Sequence, residues 1–141
     1  MTECHDHELY RRGVETFVAA WETYACGTIG ATVQRLPGVS AAVFPHEPER
    51  GFYNNALLDR DLAAAERAVA LDAMAAAYAD AGVTHFAAWA HESDAAMRAD
   101  LGRRGYRFSE STRAMGMVLD DLRLPRPEIE IGSLITRPKV R

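Results

Sequence analysis

The sequence predicts a mixed α/β domain, a sheet of five to six strands flanked by about three helices. Three observations predict it. Segments with apolar residues at the three-and-four spacing of a helix face are interleaved with short runs of alternating or continuous apolar character. Glycines fall just past the helical runs, and a Pro-Gly pair separates two of the extended ones. The resulting order is helix, three strands, helix, strand, helix, strand, which suits a sheet with helices on its faces rather than separate helical and β units.

From Leu9 to Ala25 the residues Tyr10, Val14, Phe17, Val18, Trp21 and Tyr24 make one helical stripe. After Gly27 and Gly30, "ATVQRL" and "VSAAVF" form a hairpin across Pro37-Gly38, whose proline presets the backbone of a type II turn and whose glycine accepts its positive φ. "PHEPERG" is a loop, and "FYNNALL" is a third strand rich in aromatic and aliphatic residues. Asp61 caps a second helix with the stripe Ala64, Ala68, Leu71, Met74 and Tyr78, closed by Gly82. "THFAAWA" reads as a buried central strand. Ser93 caps a third helix that stops at Gly105, and "YRFSESTRAMGMVL" is a last strand with two unlike faces. Residues 1–122 are expected to form one domain, and 123–141, "RLPRPEIEIGSLITRPKVR", a proline-interrupted linker or tail.

Composition narrows the function classes. Of the 141 residues, 48% are hydrophobic and 26% charged, which is ordinary for a single globular domain. No stretch approaches the roughly 20 apolar residues needed to span a bilayer. A net charge of -4 with no run of Lys or Arg argues against nucleic acid and anionic membranes as partners. The start, "MTECHDHELYRR", has acids and histidines where an export signal needs a basic start and an apolar run, so a cytoplasmic location is expected. Two cysteines, Cys4 and Cys26, are too few for a disulfide framework. Cys4, His5 and His7 are adjacent metal-ligating types, but a structural zinc site wants four ligands, so no metal is expected and the stretch reads as the polar start of a helix.

The stretch "SDAAMRADLGRRGYRF" carries a further signal. Together with the element order it resembles the GNAT superfamily of acetyl-CoA-dependent N-acetyltransferases, over roughly Leu9 to Leu122. That family often has an Asn, a Tyr seven residues later, then Gly-Phe; the matching places here hold Asp94, Leu101, Gly105 and Tyr106. The resemblance implies a GNAT-like sheet in which that tyrosine would protonate the departing coenzyme A thiolate, a role closed to Leu101. It also implies a glycine-rich turn, Arg/Gln-x-x-Gly-x-Gly/Ala, whose N–H groups hold the cofactor pyrophosphate at a helix N-terminus. Counting back from Gly82 puts those places at Ala63, Ala65 and Arg67, and no glycine lies between Gly51 and Gly82. Asp59, Asp61 and Glu66 surround the same place with negative charge, offset in part by Arg60 and Arg67. The nearest likeness within the family is the degenerate amino-terminal domain of tandem GNAT proteins.

In that family, cofactor and substrate meet where two central strands splay, here "FYNNALL" and "THFAAWA". The expected substrate- or ligand-binding residues are accordingly Asn54, Asn55, Trp89, His91 and Glu92. Amides are depleted in strands and need partners when buried, so Asn54 and Asn55 either face a ligand or are satisfied by backbone. Trp89 suits the core before a ligand face. His91 and Glu92 leave a strand end and are of types that polarise an amine or a water. Arg103, Arg104 and Arg107 read most simply as a solvated face, with an acidic partner as the alternative. The leading expectation is a non-catalytic GNAT-like domain without cofactor that binds a small ligand or supports a linked or partner acetyltransferase. The alternative is an active N-acetyltransferase that uses acetyl-CoA on a small amine; a third is a structural domain that forms a homodimer through its last strand.

Overall fold

The computed structural model describes residues 2–112, with backbone alone for 2–6. Three helices and four strands follow in the order α1 (Thr2–Cys26), β1 (Thr32–Leu36), β2 (Val39–Val43), β3 (Asn55–Leu58), α2 (Ala64–Asp80), β4 (Ala87–Trp89) and α3 (Ala95–Arg103). The strands make one mixed sheet in the order β1-β2-β3-β4. Its first two junctions are antiparallel, and β3 and β4 pair in parallel with α2 as their crossover. Four strands are therefore present among the described residues. Of the expected last strand, residues 106–112 are irregular, and the rest, like the 123–141 tail, lies outside the described residues.

The hairpin forms where Pro37-Gly38 places it. Leu36 pairs with Val39 across a two-residue loop, and Gly38 has the positive φ, 74°, that a type II turn requires. Period two then sorts the β2 side chains. Val39, Ala41 and Val43, with Ala56 and Leu58 of β3, face α2 and α3, where Ala70, Leu71, Met74, Tyr78, Met97 and Leu101 complete the larger core. Ala42 and Phe44 point to the opposite face and pack under Val18 and Trp21 of α1. One helix thus covers one face of the sheet and two cover the other.

Several boundaries differ from the expected ones. α1 begins at Thr2, so the polar stretch before the Leu9–Ala25 stripe is helical as read, and Glu8 pairs one turn on with Arg11 at 2.9 Å and Arg12 at 2.7 Å. Phe17 and Tyr24 lie off the buried stripe, 48% and 64% exposed, so the contact line runs through Tyr10, Val14, Val18, Trp21 and Ala25. "FYNNALL" keeps strand geometry only from Asn55, because Gly51 to Tyr53 form a turn. "THFAAWA" shortens to Ala87–Trp89, and its residues are half-buried rather than central. Asp61 does not cap α2. It is the one non-glycine residue at positive φ, 61°, among those described, and the cap position falls on Ala63. There the Glu66 carboxylate accepts the Ala63 N–H at 2.8 Å, so the acid of a capping box is present without its hydroxyl. Ser93 does not cap α3 either; Asp94 does.

The helix ends follow the glycines. Val83 N–H reaches Tyr78 O at 2.9 Å and Tyr106 N–H reaches Leu101 O at 3.1 Å, each closing a helix over a left-handed glycine, Gly82 or Gly105. Among the described residues no helix is long and apolar enough to cross a membrane.

Two contacts hold α2 on the sheet. Tyr78, fully buried, donates its hydroxyl to Ala42 O at 3.1 Å and stacks on Phe86 with ring centres 4.0 Å apart. Gly38 meets the helix so closely that a Cβ there would lie 2.8 Å from Leu62 Cδ1 and 2.9 Å from Ala70 Cβ. Gly38→Ala is expected to cost about 2–4 kcal/mol, from overpacking and a positive φ that alanine disfavours, measured by urea unfolding. A second expectation concerns pH. Burial raises the Tyr78 hydroxyl pKa well above its ordinary value of 10.0, so the folded state keeps the proton longer than the unfolded chain. That contribution is complete below pH ~10 and fades as pH rises through the folded value. Stability followed between pH ~9 and ~11 should fall for the native chain and fall less for Tyr78→Phe.

Candidate functional site

The parallel pair defines one end of the sheet at which both chains turn outward. β3 ends at Leu58 and leads through residues 59–63 into α2, while β4 ends at Trp89 and leads through residues 90–94 into α3. Ligands in open α/β sheets sit beyond the carboxyl ends of parallel strands, which makes this end the candidate site.

A single carboxylate joins the two connections. Asp94 is nine-tenths buried; its Oδ1 accepts the Met97 N–H at 2.9 Å, capping α3, and its Oδ2 accepts the Asp61 N–H at 3.3 Å. Asp61 adopts its left-handed backbone there, a conformation open to Asp at a cost of about 1 kcal/mol. Its carboxylate turns outward to Arg60 Nε at 2.9 Å.

Next to this tie stand His91, Ser93, Tyr10 and Arg60. The Ser93 N–H, which can only donate, reaches His91 Nδ1 at 3.2 Å, and the Ser93 hydroxyl lies 2.8 Å from the same nitrogen. Nδ1 is therefore the acceptor, and in the neutral ring the proton sits on Nε2. The ring meets Tyr10 of α1 edge-on, with centroids 5.1 Å apart and planes at 88°. The Arg60 guanidinium carbon lies 5.2 Å from the centre of the Tyr10 ring. Burial raises the Tyr10 hydroxyl pKa, and Asp59, Asp61 and Asp94 add to that while Arg60 opposes it. Burial alone raises the Asp59 carboxyl above the ordinary carboxylate range.

The five residues expected to bind a ligand separate in space. Asn55 and Trp89 come together on adjacent strands, with Trp89 Nε1–H donating to Asn55 Oδ1 at 2.7 Å and Asn55 Nδ2 donating to Phe52 O at 2.5 Å. His91 joins Tyr10 and Ser93 at the strand end, and Glu92 is exposed beside it. Asn54 stands apart, fully buried. Its Oδ1 accepts the Phe44 N–H at 2.8 Å, and its Nδ2 donates to Glu47 O at 2.8 Å and Arg50 O at 3.3 Å. The amide thus closes the 44–50 loop and has no capacity spare for a ligand beyond one lone pair.

Sequence reasoning missed Tyr10, Arg60 and Ser93 as members of this cluster. Tyr10 carried only the signal of a core stripe, Ser93 that of a helix cap, and Arg60 that of a cation offsetting the acids before α2. Asp94 was legible as the acid that stands in the asparagine place of the quoted stretch.

The α2 start supplies the geometry of the other expected site. Ala65 and Arg67 lie inside the first turns of the helix, not in the turn before it. Arg67 donates Nε to Asp100 Oδ2 at 2.6 Å and Nη1 to Leu62 O at 2.8 Å. Leu101 packs into the core beside Met97. Among the described residues no three His, Cys, Asp or Glu side chains are grouped to hold a metal ion; Cys4 and His5 lie among the residues of which only backbone is described.

These contacts give Asn54 a structural assignment that can be measured. Asn54→Ala strands a buried N–H at Phe44 and two loop carbonyls, and is expected to cost about 2–3 kcal/mol in unfolding free energy by chemical denaturation. Comparison of the chain with known families, curated proteins and solved structures finds no match.

Proposed function

We propose that the chain is a GNAT-like domain without a grip on acetyl-CoA, non-catalytic, which binds a small ligand at the ends of β3 and β4 or supports an acetyltransferase, linked or separate. The observation that carries this reading is the start of α2. A pyrophosphate needs free N–H groups and positive potential there. Instead the Glu66 carboxylate lies on the Ala63 N–H at 2.8 Å, the left-handed turn residue is an aspartate, and Arg67 is held by Asp100. Exposed carboxylates at that place oppose a bound anion, each by about 1 kcal/mol at about 4 Å in water.

Leu101 supports the reading from a second direction. It is an aliphatic side chain packed in the core with Met97, and it has no proton to give to a thiolate. The cluster of His91, Tyr10, Ser93 and Arg60 remains a place for a small polar ligand, with Nε2–H of His91 as donor and the Tyr10 hydroxyl as donor or acceptor.

Calorimetric titration of the native chain with acetyl-CoA tests the reading. No saturable heat is expected up to about 1 mM, equivalent to binding weaker than about 4 kcal/mol. Low-micromolar binding, about 8 kcal/mol, would overturn it and return the chain to the active acetyltransferases.

A further inference from the structure

The exposed arginines at the end of α3 are not scattered. Between residues 98 and 107 the chain has four arginines, Arg98, Arg103, Arg104 and Arg107, against one acid, Asp100, in a protein whose net charge is -4. Three cations converge on the groove between α2 and α3: Arg67 from α2, Arg103 from the last turn of α3, and Arg104 just beyond it. Ala64, Ala68 and Leu71 make the remaining wall, and the hollow has a volume of about 280 Å³.

The pairing in this groove leaves positive charge over. Asp100 is shared by Arg67 and Arg103, two guanidiniums on one carboxylate. Arg67 and Asp100 are the inner members, with side chains only 16% and 14% exposed, so their geometry is held by packing. Arg103 is 70% exposed and turns most of its donors to solvent. Arg104 reaches across to Asp72 Oδ1 at 2.5 Å, but Asp72 is 73% exposed, and a pair of that kind is readily exchanged for another carboxylate.

We infer that this groove docks an acidic segment of a partner protein, its carboxylates taken by Arg103 and Arg104. Guanidiniums match carboxylates in a planar, two-point fashion, and all three arginines already hold carboxylates of this chain. At about 280 Å³ the hollow is at the small end of small-molecule sites, and its converging guanidiniums suit one or two carboxylate side chains. Asp100 lies in the groove and Asp72 pairs with Arg104 at its side, which disfavours a closely spaced polyphosphate more than separated glutamates. This inference goes beyond the proposed function and does not depend on it: the groove docks an acidic segment whether or not the strand ends bind a ligand.

Fluorescence anisotropy with a labelled glutamate-rich peptide, and with the same peptide carrying glutamine, tests it on the native chain. The glutamate peptide should bind and the glutamine peptide should not. Affinity should fall as ionic strength rises from about 0.01 to about 0.15 M, which shortens the screening length from about 30 to about 8 Å. Arg103→Glu/Arg104→Glu should weaken binding by roughly tenfold or more, with folding checked by circular dichroism. Asp72→Asn, which frees Arg104, should strengthen it, and that variant decides the matter if the double variant does not fold. Equal binding of the two peptides, unchanged affinity in a folded double variant, or no gain in Asp72→Asn would overturn the inference. So would tighter binding of a single-stranded oligonucleotide, self-association lost in the double variant, or displacement of the peptide by coenzyme A. Only binding of coenzyme A would also count against the proposed function, so the two can fail separately.

Discussion

The close seating of α2 on the sheet governs the rest of the molecule. At Gly38 there is no room for a Cβ between the hairpin turn and the helix, and the contact behind it is made of small residues, Ala41, Ala56 and Ala70, each with no exposed surface. Small residues let a helix approach a sheet until backbone and Cβ atoms touch, and interiors packed at that density do not slide. α2 is thereby fixed along its axis as well as above the sheet. The positions of the 59–63 turn, of Arg67 and of the groove to α3 all follow from that fixed axis.

Buried polar side chains take over where apolar packing stops. Asn54 supplies to the 44–50 loop the hydrogen bonds that a sheet would otherwise supply, which is why β3 begins only after it. Asp94 plays the corresponding part at the other end of the parallel pair, holding the start of α3 and the turn before α2 on one carboxylate. Each ties a loop down through one buried backbone donor, Phe44 N–H for Asn54 and Met97 N–H for Asp94, that would be left unpaired without it. The His91, Ser93 and Tyr10 cluster inherits its geometry from Asp94, since the same short connection carries all but Tyr10.

Charge is distributed unevenly over this frame. Carboxylates gather at the turn before α2, and arginines gather past the end of α3, although α2 and α3 lie side by side. The ion pair between Arg67 and Asp100 stands at the border, shielded from water and so stronger than the exposed pairs of Arg35 with Glu15 and Glu22. This division explains how one small domain both discourages an anion at a helix N-terminus and presents guanidiniums a few turns away.

The sequence by itself determined the order and type of the described elements, the hairpin at Pro37-Gly38 and the helix ends at Gly82 and Gly105, because these rest on local chemistry: apolar period, fixed proline φ and glycine's access to the left-handed region. It also determined that Asn54 and Asn55 needed partners. Which partners they took was decided only by tertiary structure, since Phe44 N–H, Phe52 O and Trp89 Nε1 reach those amides through a turn and a parallel pairing that no local pattern encodes. The same holds for the caps, where Ser93 and Asp61 had the right side chains but the wrong places. Asp94 caps α3 with one carboxylate oxygen while the other reaches across to Asp61, and Ala63 caps α2 with its N–H on Glu66, contacts that depend on where the helices sit. Tyr10 joined the strand ends for a comparable reason: a helix stripe reports which face is buried, and only the packing of that face reports what it is buried against.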